Sequence, residues 1–156
     1  MIENWKIDTR TSPDQNTRHE ILCLQFYRNV YTDEGQILVG GNNPRIQAYS
    51  IRNATLEKEM RGHNDSVTCM ALDGNLLFTG SDDCSIRQWE LTLNSPSGVV
   101  GEVDERKYPI LSQLDLINFV SFSFIAVQDL VILEKNGLLL SCGYDGKIIC
   151  WRYNYD

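Results

Sequence analysis

The chain has 156 residues, of which 42% are hydrophobic and 22% are charged, and its formal net charge is −7. The acidic balance disfavours nucleic acid as a partner, because phosphate binding needs clustered positive charge. No apolar run reaches the roughly 18 residues of a membrane span. The five cysteines lack the CxxC spacing of a metal site. We therefore expect a cytoplasmic protein without a cofactor, a metal ion, or a membrane or nucleic-acid partner.

Strand patterns, rather than helical ones, follow one another along the chain. Apolar runs at residues 21–26, 66–72 and 129–133 predict strands that are buried on both faces. Each run precedes a hairpin whose last strand reaches an aromatic residue, and these hairpins cover residues 40–51, 80–91 and 142–153. The pair Asp145 and Gly146 is the strongest turn signal, because both positions of a two-residue turn favour positive φ. The sequence therefore predicts an all-β fold.

The units recur at a spacing that indicates a repeat. "MIENWKI" at the start aligns with "SIRQWEL", and the aromatic residues of the four units are Trp5, Tyr49, Trp89 and Trp151. The first two intervals are close to the period of about 40 to 45 residues that four-stranded propeller blades show. Residues 55–61 and 99–103 are candidates for the outer, solvated strands. The repeat therefore predicts antiparallel blades of four strands.

The stretch "RGHNDSVTCMALDGNLLFTGSDDCSIRQWE", residues 61–90, resembles a blade of the WD-repeat β-propeller family. This resemblance implies a hydrogen-bonded tetrad in which His63 precedes the first strand, Thr79 lies on the second, Asp83 lies in the turn and Trp89 lies on the third. A donor-only indole, a hydroxyl, an imidazole and an acceptor-only carboxylate can satisfy one another in that order. The middle unit therefore carries the complete pattern.

The other units depart from the pattern. The last unit has Ser141, Asp145 and Trp151, but Phe124 or a neighbour stands where the resemblance requires histidine. The first unit has Val39, Asn43 and Tyr49 at the corresponding positions, so most of its polar network is absent. We expect only a partial tetrad in the last unit.

The resemblance divides the chain into five segments. They are the third and outer strand of an incomplete blade at 1–18, a degenerate WD blade at 19–61, a well-matched WD blade at 62–103, an insertion at 104–127 and a last WD blade without its outer strand at 128–156. Propellers use about 4 to 8 blades, so we expect a propeller fragment that this chain alone does not close. Upstream residues, a partner chain or a second copy would complete it.

The insertion is unexpectedly apolar. Three interpretations stay open: an extra strand against a blade, an irregularity of the gene model, or an exposed patch that docks a partner through Phe119, Phe122 and Phe124. Its alternating "FVSFSF" suits a strand.

The family resemblance implies a non-catalytic scaffold for protein–protein interaction. Thr79, His63 and Asp83 are also the residue types of a hydrolase triad, but they sit at tetrad spacing and no GxSxG motif is present. The alternatives are an enzyme or enzyme-complex subunit with a site on the propeller, and a substrate receptor of a ubiquitin ligase. The last unit also faintly resembles large WD-repeat proteins of cilia and flagella, which would place the chain at the axoneme.

Overall fold

The computed structural model describes residues 19–29, 34–91, 115–116, 126–133 and 137–153. Eleven β-strands are present in these ranges. They are β1 (Ile21–Arg28), β2 (Gly35–Gly41), β3 (Arg45–Ser50), β4 (Leu56–Arg61), β5 (Val67–Asp73), β6 (Leu76–Ser81), β7 (Ile86–Glu90), β8 (Asp115–Leu116), β9 (Val127–Leu133), β10 (Leu138–Gly143) and β11 (Ile148–Arg152). Among the described residues, no helix is long and apolar enough to cross a membrane.

The strands form three antiparallel sheets. The first sheet has the order β1-β2-β3-β4, the middle sheet has the order β5-β6-β7, and the third sheet has the order β8-β11-β10-β9. Neighbours in the first two sheets are also consecutive in the chain, as expected where short turns join antiparallel strands. The prediction of an all-β fold with open antiparallel sheets is confirmed.

The outer edges of the sheets differ. β4 pairs with β3, with Ala48 opposite Lys58, in the place proposed for residues 55–61. In the third sheet, β8 pairs with β11 through Trp151 and Leu116. The sequence placed no outer strand there, whereas two residues of the proposed insertion pair with that edge and satisfy part of its backbone. The candidate outer strand at 99–103 lies outside the described residues.

The hairpin turns differ from the two-residue turn that the sequence suggested. In the third sheet Gly146 has φ of 69°, Asp145 does not have positive φ, and the Gly146 N–H donates to the Gly143 carbonyl at 3.2 Å. The middle sheet repeats this geometry with Cys84, whose φ is 68° and whose N–H donates to the Ser81 carbonyl at 3.1 Å. In both turns only the last position is left-handed, a conformation that glycine adopts without strain and that Cys84 adopts in the middle sheet.

Two hydrophobic cores lie between neighbouring sheets. The first joins the first and middle sheets, and its buried members include Leu38, Ile46, Val67, Met70, Leu77 and Trp89. The second joins the middle and third sheets, and its buried members include Cys69, Phe78, Val127, Leu130, Leu139 and Tyr153. Tyrosine hydroxyls also link neighbouring sheets, because Tyr27 donates to the Leu91 carbonyl at 2.8 Å and Tyr153 donates to Asp73 at 2.7 Å. Face-to-face packing of this kind is how propeller blades stack around an axis.

Burial of the inner strands departs from the prediction. β5 lies between two sheets, and its side chains are buried or half-buried. β1 and β9, in contrast, each expose alternate apolar side chains such as Leu24 and Val131. The prediction that all three strands are buried on both faces was therefore wrong for these two. Only β5 has a described sheet on each side. A strand is therefore buried on both faces only where a neighbouring sheet covers each face.

Glycine sets the distance between sheets. A Cβ placed on Gly80 would lie 2.5 Å from Cys69 Sγ and 2.6 Å from Val127 Cγ1. We therefore expect Gly80→Ala to lower the free energy of unfolding by about 1–3 kcal/mol through overpacking. The control is the same substitution in a Val127→Ala background, because removal of Val127 Cγ1 takes away one of the two close contacts of the added Cβ. Urea unfolding measures the loss in both backgrounds, and an equal loss from Gly80→Ala in each would contradict overpacking at Gly80.

Candidate functional site

A chain of side-chain hydrogen bonds runs through the middle sheet. Trp89 Nε1 lies 2.9 Å from Thr79 Oγ1, and Thr79 Oγ1 lies 2.7 Å from His63 Nε2. At the other side of the imidazole, His63 Nδ1 lies 2.9 Å from Asp83 Oδ2. The structure therefore brings together all four residues that the resemblance assigned to a tetrad.

The hydrogen-bonding capacity of the groups fixes the direction of each bond. The indole N–H of Trp89 can only donate, so Thr79 accepts it and donates its own hydroxyl proton to His63 Nε2. His63 then carries its proton on Nδ1 and donates it to the acceptor-only carboxylate of Asp83. Each polar side-chain atom of these four residues has a partner, which favours a rigid sheet.

The carboxylate of Asp83 accepts further hydrogen bonds from two other residues. Its Oδ2 accepts the Asn64 N–H at 2.9 Å, and its Oδ1 accepts the Ser85 N–H at 2.9 Å and the Ser85 hydroxyl at 2.6 Å. Asp83 therefore joins the segment before β5 to the β6–β7 turn. This double attachment aligns the carboxylate with His63.

Burial and these hydrogen bonds act against each other on both residues, and the net effect lowers the pKa of His63 and the pKa of Asp83. Burial lowers the pKa of His63 from 6.5, and this outweighs the raising effect of its bond to Asp83. Burial alone would raise the pKa of Asp83, but hydrogen bonds from Ser85, Asn64 and His63 lower it well below 3.8. The pair is therefore a neutral imidazole beside a carboxylate at neutral pH.

We expect the stability of the chain to fall as the pH drops below about 6.5. The folded state keeps His63 neutral, so the unfolded chain binds more protons in this range and gains stability. Asp83 adds a second loss below 3.8, where the unfolded carboxyl takes up protons before the folded one. Urea midpoints between about pH 7.5 and about pH 5 measure the first loss. His63→Gln should flatten this slope, and an unchanged slope would contradict the assignment.

The third sheet carries a shorter network. Trp151 Nε1 donates to Ser141 Oγ at 2.8 Å, as Trp89 does to Thr79. Asp145 stays within its own turn, where it accepts the Lys147 N–H at 3.1 Å and its Oδ2 lies 3.8 Å from Lys147 Nζ. The structure therefore brings Ser141 and Trp151 together and leaves Asp145 apart from them. Phe124, at the position of the histidine, lies outside the described residues.

The first sheet has a different polar network, which sequence comparison of the units did not predict. Tyr49 Oη donates to Gln47 Oε1 at 3.1 Å, and Gln47 Nε2 donates to Glu59 Oε1 at 3.1 Å. Gln47 is buried on β3, and Glu59 lies on the outer strand β4. The signal that could have found it is the polar residue two positions before the aromatic in "IQAYS".

The residues that the sequence offered as a hydrolase triad are enclosed in the middle sheet. Thr79 is 0% exposed and its hydroxyl is held by two neighbours, so it cannot meet a substrate in this conformation. Burial raises the pKa of Cys69 to about 11 and that of Cys23 to about 12, so neither thiol is an active nucleophile. Within the same ranges, no three side chains of His, Cys, Asp or Glu cluster as a metal site would require. The candidate docking residues Phe119, Phe122 and Phe124 lie outside the described residues.

Comparison with solved structures identifies the fold. A humanized mutant of the Chaetomium thermophilum Polycomb Repressive Complex 2 contains a chain that superposes with a TM-score of 0.69 at 17% identity. The match covers 90% of this chain and 28% of that one. The sheets described above are thus blades of an open β-propeller.

Sequence comparison identifies one repeat within the chain. Residues 54–90 match the family model "WD domain, G-beta repeat". The target of rapamycin complex subunit wat1 of Schizosaccharomyces pombe is 28% identical over 131 residues, which are 81% of this chain and 35% of that protein. A probable E3 ubiquitin ligase complex SCF subunit, scon-2 of Neurospora crassa, is 32% identical over 65 residues, or 42% of this chain and 9% of that protein. The chain carries a WD repeat in a WD-repeat β-propeller fold, and it spans about a third or less of these curated relatives.

Proposed function

We propose that this chain is a non-catalytic scaffold for protein–protein interaction, and that its blades form part of a larger assembly. The observation that carries the proposal is the middle sheet, where four buried or half-buried side chains lock a WD repeat into one conformation. A rigid blade presents its turns and edges to partners at low entropic cost. The site chemistry adds support, because the polar groups of the network bond to one another rather than face solvent.

The relatives support the same function. Two of them are named as subunits of multi-protein complexes, one of a target of rapamycin complex and one of an SCF ubiquitin ligase complex. We extend only the general property, assembly with other proteins, to this chain. Upstream residues, a partner chain or a second copy would complete its propeller. A role as a substrate receptor is a special case of this scaffold, whereas no described residue favours an enzyme.

The composition and the last unit both bear on where the assembly is located. The acidic composition disfavours nucleic acid as a partner, and we propose a cytoplasmic protein without a cofactor. Placement at a cilium or axoneme rests on the sequence resemblance of the last unit alone. Imaging of a tagged chain in ciliated cells tests it, and exclusion of the tag from the axoneme would contradict it.

Quantitative co-purification of the tagged chain tests the scaffold function. We expect proteins to be recovered with the chain in near-stoichiometric amounts, and to be lost when Trp89→Ala loosens the middle sheet. Arg52→Ala is the matched control, because the Arg52 side chain is 81% exposed and contacts Glu34 only at 3.9 Å. Recovery of the chain alone, or of the same proteins from all three samples, would contradict the proposal.

A further inference from the structure

We draw no further inference here: the strongest candidate, the half-buried side chain of Arg87 on the middle sheet beside Gly62, whose Nε has no hydrogen-bond partner among the described residues, carries none, because the outer strand expected next to β7 lies outside those residues and nothing in the structure shows what covers this side chain.

Discussion

Replacing Trp89 with alanine is expected to lower the free energy of unfolding by about 3–5 kcal/mol, the usual loss for a buried tryptophan. Trp89 lies in the core between the first and middle sheets and is only 6% exposed. The substitution therefore leaves a cavity at an interface that holds two sheets together. It also removes the N–H that Thr79 accepts at 2.9 Å. Urea unfolding followed by circular dichroism measures the loss. A loss no larger than that caused by substituting an exposed residue would contradict the expectation.

Two controls divide this loss into packing and hydrogen bonding. Trp89→Phe keeps most of the ring but removes the indole N–H, and should cost about 1–2 kcal/mol for the missing bond. Trp151→Ala removes the equivalent residue of the third sheet, which is half-buried and bonds to Ser141 at 2.8 Å. Trp151→Ala should lower the free energy of unfolding less than Trp89→Ala does, because it removes less buried surface.

The middle sheet was predictable because its determinants are local. His63, Thr79, Asp83 and Trp89 fall within 27 consecutive residues, and each type has a distinct donor and acceptor capacity. The resemblance of this stretch to a WD-repeat blade was therefore enough to predict which side chains should meet. Substitution of Trp89 or His63 measures how much these contacts contribute to stability.

Other features depend on neighbours or on backbone detail that a single sequence does not encode. Leu24 and Met70 occupy equivalent, apolar positions, yet one is 60% exposed and the other 9%, because only Met70 faces a described sheet. The pairing of β8 with β11 involves two residues, which is too short a segment for an alternating pattern. The bond of Gln47 to Glu59 joins two strands, and its partner depends on their register.

Glycine at the contact between sheets has a structural role that hydrophobic patterning does not reveal. Gly40, Gly80 and Cys142 look alike in a search for repeats, since all are small. The added Cβ nevertheless decides whether a neighbouring sheet can approach. Patterning predicted the strands, whereas the close approach of neighbouring sheets at Gly40 and Gly80 required interatomic distances.

Replacing His63 with alanine is expected to lower the free energy of unfolding by about 2–4 kcal/mol, because it combines lost hydrogen bonds with a small cavity. The imidazole is buried and connects β6 to the turn, accepting from Thr79 at 2.7 Å and donating to Asp83 at 2.9 Å. Without it, the hydroxyl of Thr79 loses its acceptor in a site that water reaches poorly. Asp83 retains the Asn64 N–H, so its carboxylate is not stranded.

A double-mutant cycle separates the hydrogen-bond chain from general packing. Thr79→Val keeps the side-chain volume but removes the hydroxyl that bonds to His63 and Trp89. If the four residues act as one network, the losses of His63→Ala and Thr79→Val should fall short of additivity by about 0.5–3 kcal/mol. Additive losses, or Asp83→Ala with wild-type stability, would mean that these residues meet in the blade without stabilising it as a unit. The rigidity on which the scaffold proposal depends would then have to come from the inter-sheet cores alone.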